Sequence, residues 1–179
     1  NAEGVVNKPI ELRGRTSLSL TVLTPVYNER HVVEASLKRV LALESDLIHK
    51  LELIVVDDCS TEGTSEVLEK LAANEPRMRL IRHKENKGKG GALRTAIEHS
   101  TGDVTVCHDA DLEYNPEDIL GLLVPFLKEG ADAVFGSRYM TAPYRRTLKF
   151  RHSWMNRTLT GVSNWITDLD LTDLETCYK

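Results

Sequence analysis

The chain has 179 residues, with 23 Lys and Arg against 27 Asp and Glu, and its formal net charge of −4 speaks against general nucleic-acid binding, because a duplex binder carries a basic excess. A hydrophobic share of 41% and a charged share of 28% suit a globular chain with one full core, or slightly more. Three scattered cysteines (Cys59, Cys107, Cys177) imply no disulfide framework and favour a reducing compartment, the six histidines form no zinc pattern, and no apolar run approaches membrane-spanning length.

The chain opens Asn1-Ala2 without a methionine and stops at Lys179 in mid-pattern, so we expect a fragment. Residues 1–17 read as a poorly ordered leader, residues 1–2 as a tag remnant. "LSLTVLTP" (18–25) predicts a strand ended by proline, and the spacing of Val33, Leu37, Val40 and Leu41 predicts a helix over 29–44. "LELIVVDD" (51–58) is a near-continuous apolar run, as in a strand covered on both faces. A helix is expected at about 63–73, a strand at 78–82, and a helix at 91–100 with Gly102 as its C′ residue. "DVTVCHD" (103–109) predicts a strand. "NPEDILGLLVPFLKEG" (115–130) predicts a helix capped by Asn115, with Pro116 at N1 and Gly130 as terminator. "ADAVFGS" (131–137) predicts one more strand. The alternation means an α/β fold with a mainly parallel sheet.

In such sheets ligands bind outside the carboxyl ends of the strands. "TPVYNE" (24–29), "DDCST" (57–61), "NKGKGG" (86–91), "DADLE" (109–113) and "GSRY" (136–139) all come at or soon after a strand end. Taken singly, each has a plainer reading. Asp57-Asp58 also suits a capping turn, and Arg138 a surface position. The glycine-rich turn around Lys87 and Gly88 can offer N–H groups to a phosphate, although the spacing of a P-loop is missing. Asp109, Asp111 and Glu113 crowd like charges where an apolar run emerges, which either holds a hard cation, Mg²⁺ or Mn²⁺, or is a solvated acidic turn.

Taken together, "TPVYNE", "VVDDCST", "NKGKGGALRTA", "GDVTVCHDADLEYNPED" and "VFGSRY" resemble the family-2 glycosyltransferases of the GT-A fold. The branch they look most like is the dolichyl-phosphate mannosyltransferase and polyprenyl-phosphate glycosyltransferase group. The resemblance spans residues 18–179 and implies a catalytic domain there, truncated at its C-terminus. It implies that Pro25, Tyr27 and Glu29 line a nucleotide-sugar pocket and that Val56 and Asp58 meet base and ribose. Lys87 and Gly88 join that pocket, and Asp109, Ala110 and Asp111 run past the diphosphate. Asp109, Asp111 and Glu113 are then the metal set, with Asp111 and Arg138 the catalytic pair. Many mannosyl-transferring relatives carry glutamine at the position of Glu113, and this chain has no glutamine. The family also usually continues into membrane-associated helices, so membrane contact is assigned to a missing C-terminal segment or to a partner.

A departing nucleoside diphosphate develops charge that a metal and cations stabilise. Transfer to a sugar hydroxyl needs a carboxylate base, whereas a lipid phosphate is already ionised and needs positioning. Arg145, Arg146 and Arg151, with Lys179, are the candidate acceptor-phosphate set, against the plainer reading of a basic surface loop. The expectation is a metal-dependent, inverting transferase moving a hexose from a nucleotide-sugar donor, of GDP-mannose or UDP-glucose type, to a polyprenyl phosphate. It would act at the cytoplasmic face of a membrane, without nucleic acid. A saccharide hydroxyl as acceptor, or a catalytically silent nucleotide-binding module, are the alternatives.

Overall fold

Leu53, Ile54, Val55 and Val56 are apolar without alternation, which demands cover on both faces of a strand. The computed structural model, which describes residues 11–140 and 149–179, supplies that cover. The chain forms two compact units, Asn1–Asp132 and Ala133–Lys179. In the first, β1 (Leu18–Val26), β2 (Ile48–Asp57), β3 (Met78–Arg82) and β4 (Val104–Cys107) build a sheet ordered β3-β2-β1-β4, parallel throughout. Between and after them run α1 (Val33–Leu41), α2 (Thr64–Asn74), α3 (Gly88–Glu98) and α4 (Asp118–Lys128). Ile54 and Val56, with Leu23 of β1, pack against Ala92 and Ala96 of α3. Leu53 and Val55 point to the other face by alternation and are equally buried.

Proline is disfavoured inside a central strand because it cannot donate to the ladder, yet Pro25 sits near the end of β1. His108 N–H donates to Leu23 O at 2.9 Å, so Leu23, and Pro25 two residues on, direct their backbone groups toward β4. The β4 ladder stops at the Leu23–Cys107 pair. No bond is therefore lost at Pro25, and the chain is free to turn into the site.

Several boundaries differ from expectation. α1 begins at Val33 rather than 29, because residues 29–32 make turns in which Glu29 O accepts from Val32 and Val33 N–H. α3 begins at Gly88, three residues earlier than the apolar pattern implies. Gly102 is no helix terminator, since α3 has ended at Glu98. Its role is close approach: a Cβ there would lie 2.7 Å from Thr21 Oγ1 and 2.8 Å from Thr21 N in β1. α4 begins at Asp118, not at Pro116, with Glu117 as its N-cap and no side-chain cap bond; Asn115 Oδ1 receives Glu117 N–H at 3.4 Å in the turn before the helix, and Gly130, at φ +73°, follows its end. Within the stretch expected as a disordered leader, residues 11–17 are tied down. Leu12 is buried, and Gly14 N–H donates to Leu127 O at 2.8 Å.

The second unit holds two departures. The strand expected at 131–137 is absent, and Gly136 N–H goes instead to Tyr178 O at 2.9 Å. An 18-residue helix, α5 (Phe150–Thr167), forms where the sequence reading places no element, and of the expected basic set it carries Arg151. Its buried residues are Asn156 and Thr160, so the usual signal, an apolar stripe facing the core, is missing from its sequence.

Candidate functional site

An open cleft of about 430 Å³ lies over the carboxyl ends of β1 and β2 and the loops before α3 and after β4. From the end of β1 come Pro25 and Val26 and from the loop after it Tyr27 and Glu29; from the later segments come Asp58, Asn86, Gly88, Lys89, Asp109, Ala110 and Asp111. The loop after β1 is sewn to the loop after β2. Asn28, at φ +55°, receives Thr61 N–H on its Oδ1 at 2.9 Å and donates its own N–H to Ser60 Oγ at 3.0 Å. Tyr27, next to this stitch, is 50% exposed, so its ring is presented to whatever enters the cleft.

The two adjacent acids after β2 have different tasks. Asp57 is buried and caps its own turn, receiving Ser60 N–H at 3.0 Å and the Ser65 hydroxyl. Asp58 lines the cleft but is also buried, and its Oδ1 faces His83 Nδ1 at 2.6 Å and Lys87 N–H at 2.9 Å. Burial pushes the Asp58 carboxyl up, but the Lys87 N–H and His83 outweigh it and the net direction is downward. An ionised carboxylate only accepts, so His83 carries its proton on Nδ1. Asn86 Nδ2 donates to Asp58 O at 3.2 Å. Asp58 thus anchors the glycine-rich turn that opens α3.

Lys87 contributes its backbone N–H to this anchor, while Lys89 reaches into the cleft and meets Asp109 Oδ1 at 2.6 Å. The sequence "NKGKGG" signals both lysines but not which one faces the cleft. Val56 is fully buried in the β2 core beside Leu23 and Ala92 and is not a lining residue.

Asp111 is held by its neighbours. Its Oδ1 receives Glu113 N–H at 2.9 Å, and its carbonyl receives the Ser36 hydroxyl at 2.9 Å. Ser36 Oγ also lies 3.3 Å from His108 Nε2. Because the serine proton is committed to Asp111 O, Nε2 is the donor of that pair. His108 is fully buried, and burial pushes its pKa down to about 4, so the ring is neutral near pH 7. Ser36 and His108 escape a reading of the sequence because they lie in apolar helix and strand patterns.

The cleft concentrates negative potential. The Glu29 carboxyl is raised above its ordinary value, first by burial and then by Asp111, Glu62 and Asp109. The repulsion that Glu29 feels from the neighbouring acids is one that a cation relieves, and Lys89 already sits against Asp109. The donor set, carboxylate oxygens of Asp109 and Asp111 lining one cleft, fits a hard divalent cation. Glu113 is exposed and is not a lining residue.

Arg138 lies in the second unit. Its Nε and Nη2 grip Asp173 at 2.8 and 2.9 Å, and its N–H adds a third bond at 2.9 Å. Asn156 Nδ2 donates to the same buried carboxylate at 2.6 Å. Burial pushes the Asp173 carboxyl up, and the Arg138 guanidinium and Asn156 bring it to a net lowered position. Asp173 and Asn156 complete this network, and the resemblance alone did not bring them forward. Arg151 is exposed on α5, and Lys179 Nζ donates to Leu174 O at 3.1 Å. Arg145 and Arg146 lie outside the described residues.

A family model described as "Glycosyl transferase family 2" matches residues 21–172. Dolichol-phosphate mannosyltransferase of Pyrococcus furiosus is 34% identical over 123 residues, which is 69% of this chain and 34% of that protein. An undecaprenyl-phosphate 4-deoxy-4-formamido-L-arabinose transferase of Pseudomonas syringae is also 34% identical, over 64% of this chain and 34% of its own length. Among solved structures, the mannosyltransferase PcManGT of Pyrobaculum calidifontis, in complex with GDP-Man and Mn²⁺, superposes with a TM-score of 0.52 at 35% identity. It covers 60% of this chain and 32% of its own. The chain therefore spans about a third of the length of these relatives, and its sheet is of the GT-A type.

Proposed function

The chain belongs to glycosyltransferase family 2, and from that premise we propose that it moves a hexose from a nucleotide-sugar to a polyprenyl phosphate with the help of a divalent cation. The observation that carries this reading is the joining of Pro25, Tyr27, Asp58, Asp109 and Asp111 in one cleft at the strand ends. Relatives named for dolichol and undecaprenyl phosphates support the acceptor class. The solved complex with GDP-Man and Mn²⁺ supports the donor class and the metal.

In this reading the exposed Tyr27 ring and the Asp58 region hold base and ribose, and Asp58 does so while fixing the turn at Lys87. The diphosphate runs past Asp109, Ala110 and Asp111, where Lys89 supplies a cation. Asp109 and Asp111 would hold Mg²⁺ or Mn²⁺, which when bound stabilises charge on the departing nucleoside diphosphate. Ser36 and His108 keep the Asp111 backbone in place. Arg138, set by Asp173, offers a pre-oriented guanidinium to phosphate or sugar oxygens. An ionised lipid phosphate attacks without a base, and the chain would act at the cytoplasmic face of a membrane.

One observation favours a second reading. Glu29 lines the cleft with a raised pKa, a property that suits a base for a saccharide hydroxyl. Incubation with GDP-mannose or UDP-glucose, Mn²⁺ and a short-chain polyprenyl phosphate separates the two. The proposal expects a lipid-linked hexose phosphate that a chelator abolishes. Transfer to a neutral saccharide alcohol, without transfer to the lipid phosphate, would establish the second reading.

A further inference from the structure

The amino end of α3 is charged against its own dipole. Anionic side chains are favoured at a helix N-terminus, yet the first turn of α3 holds no acid, and Lys87 and Lys89 stand on either side of Gly88, its first residue. Lysines placed there call for an anion close by. Lys89 has one inside the cleft: its Nζ lies 2.6 Å from Asp109 Oδ1, with the lysine side chain 56% exposed and the aspartate 25%. Both residues line the cleft, together with Asp111 and Glu29. An ion pair this exposed shifts an equilibrium by about fivefold at most, so it holds the ammonium without locking it.

The two site aspartates are held by different chemistry. Asp111 is held by neutral donors, the Glu113 N–H on its Oδ1 and the Ser36 hydroxyl on its carbonyl, and a metal need displace neither. Asp109 is held by a full positive charge. A small divalent cation bound to Asp109 Oδ1 sits about 2.1 Å from that oxygen. The ammonium lies 2.6 Å from the same oxygen. Two cations so placed stand less than about 5 Å apart and repel, so the metal and Lys89 exclude one another there. Lysine suits an exchange of this kind, because its charge is compact and rides on a flexible four-carbon stem. The cleft offers the displaced ammonium a second anion, the diphosphate of the nucleotide donor, without movement of the backbone.

We propose that Lys89 is an exchangeable counter-ion of the cleft: it neutralises Asp109 until a divalent cation takes Oδ1, and its ammonium then turns to the donor diphosphate. This deepens the proposed function and rests on it. Lys89 competes with the metal and binds the nucleotide, and so contributes to the coupling between them. A lysine that served only as a phosphate ligand, or only in packing, would not oppose the metal through Asp109.

Removing the charge separates these roles. Lys89→Met and Lys89→Gln are titrated with Mn²⁺ alone, followed by electron paramagnetic resonance, and then with GDP or UDP in the presence of Mn²⁺, followed by calorimetry. The expected result is two changes of opposite sign. Mn²⁺ alone should bind about threefold to fivefold more tightly than to the wild type, and the nucleotide about tenfold more weakly. In an Asp109→Asn background the lysine substitution should no longer tighten Mn²⁺, because the competition runs through that carboxylate. Mn²⁺ binding that is unchanged or weaker in both lysine variants overturns the proposal, and so does a gain that survives in Asp109→Asn. The exchange and the catalytic reading fail in different ways. Metal and nucleotide binding by the wild type, with neither affinity moved in the variants, overturns the exchange alone. No nucleotide binding by the wild type, with Mn²⁺ still tightened by Lys89→Met, overturns the catalytic reading and leaves the competition at Asp109 standing.

Discussion

Asp58 shows how one side chain can serve fold and site together. Its Oδ1 holds both His83 and the Lys87 N–H, so removing the carboxylate leaves a buried donor unpaired. Asp58→Ala should cost about 1–3 kcal/mol of unfolding free energy and weaken nucleotide binding through the loosened turn at Gly88. Denaturant titration alongside calorimetry checks both, and unchanged stability would contradict the anchoring role. Arg138 and Asp173 make a second residue-scale pair. Asp173→Asn keeps the shape but removes the charge that orients the guanidinium, so kcat should fall by about tenfold or more with little change in donor KM. Equal losses in kcat and stability would reduce Asp173 to a packing role.

At the scale of elements, close contact between the β1 and β4 segments sets where the acids emerge. Gly102→Ala would push a Cβ into Thr21, and the overpacked edge should lose about 1–3 kcal/mol, read as a lower Tm. The same junction carries a pH signature. Asp103 is lowered from 3.8 by the Ser19 N–H and hydroxyl. Its folded form is thus the better acid, and its contribution to stability is complete above 3.8 and lost as pH falls through the lower folded value. Ser19→Ala should flatten that acid limb in a denaturation series. The strands of this sheet are legible in sequence because buried parallel strands are apolar throughout, as Leu53–Val56 are. The start of α1 is not, because Asn28 is pinned by Ser60 and Thr61, residues 32 and 33 positions away. α5 is hidden for the opposite reason: its apolar residues face outward, and its inward contacts are amides and a hydroxyl. The site acids are legible as types, but the choice of Lys89 over Lys87 depends on the phase of a helix that starts at Gly88.

At the scale of the whole molecule, a chain of net charge −4 gathers Glu29, Asp109 and Asp111 around one cleft and a basic, acid-free helix in its second unit. The first arrangement repels a bare diphosphate unless a cation accompanies it. Metal and nucleotide should therefore bind with positive coupling, each raising the affinity of the other by the same factor. Calorimetric titration of GDP and UDP, with and without Mn²⁺, on the wild type and Asp111→Asn, tests this most directly. The account predicts binding of one nucleotide that strengthens by about tenfold or more with Mn²⁺, and a variant that keeps its fold but loses that gain. Nucleotide binding of equal strength without metal, or a full metal gain in Asp111→Asn, would contradict it.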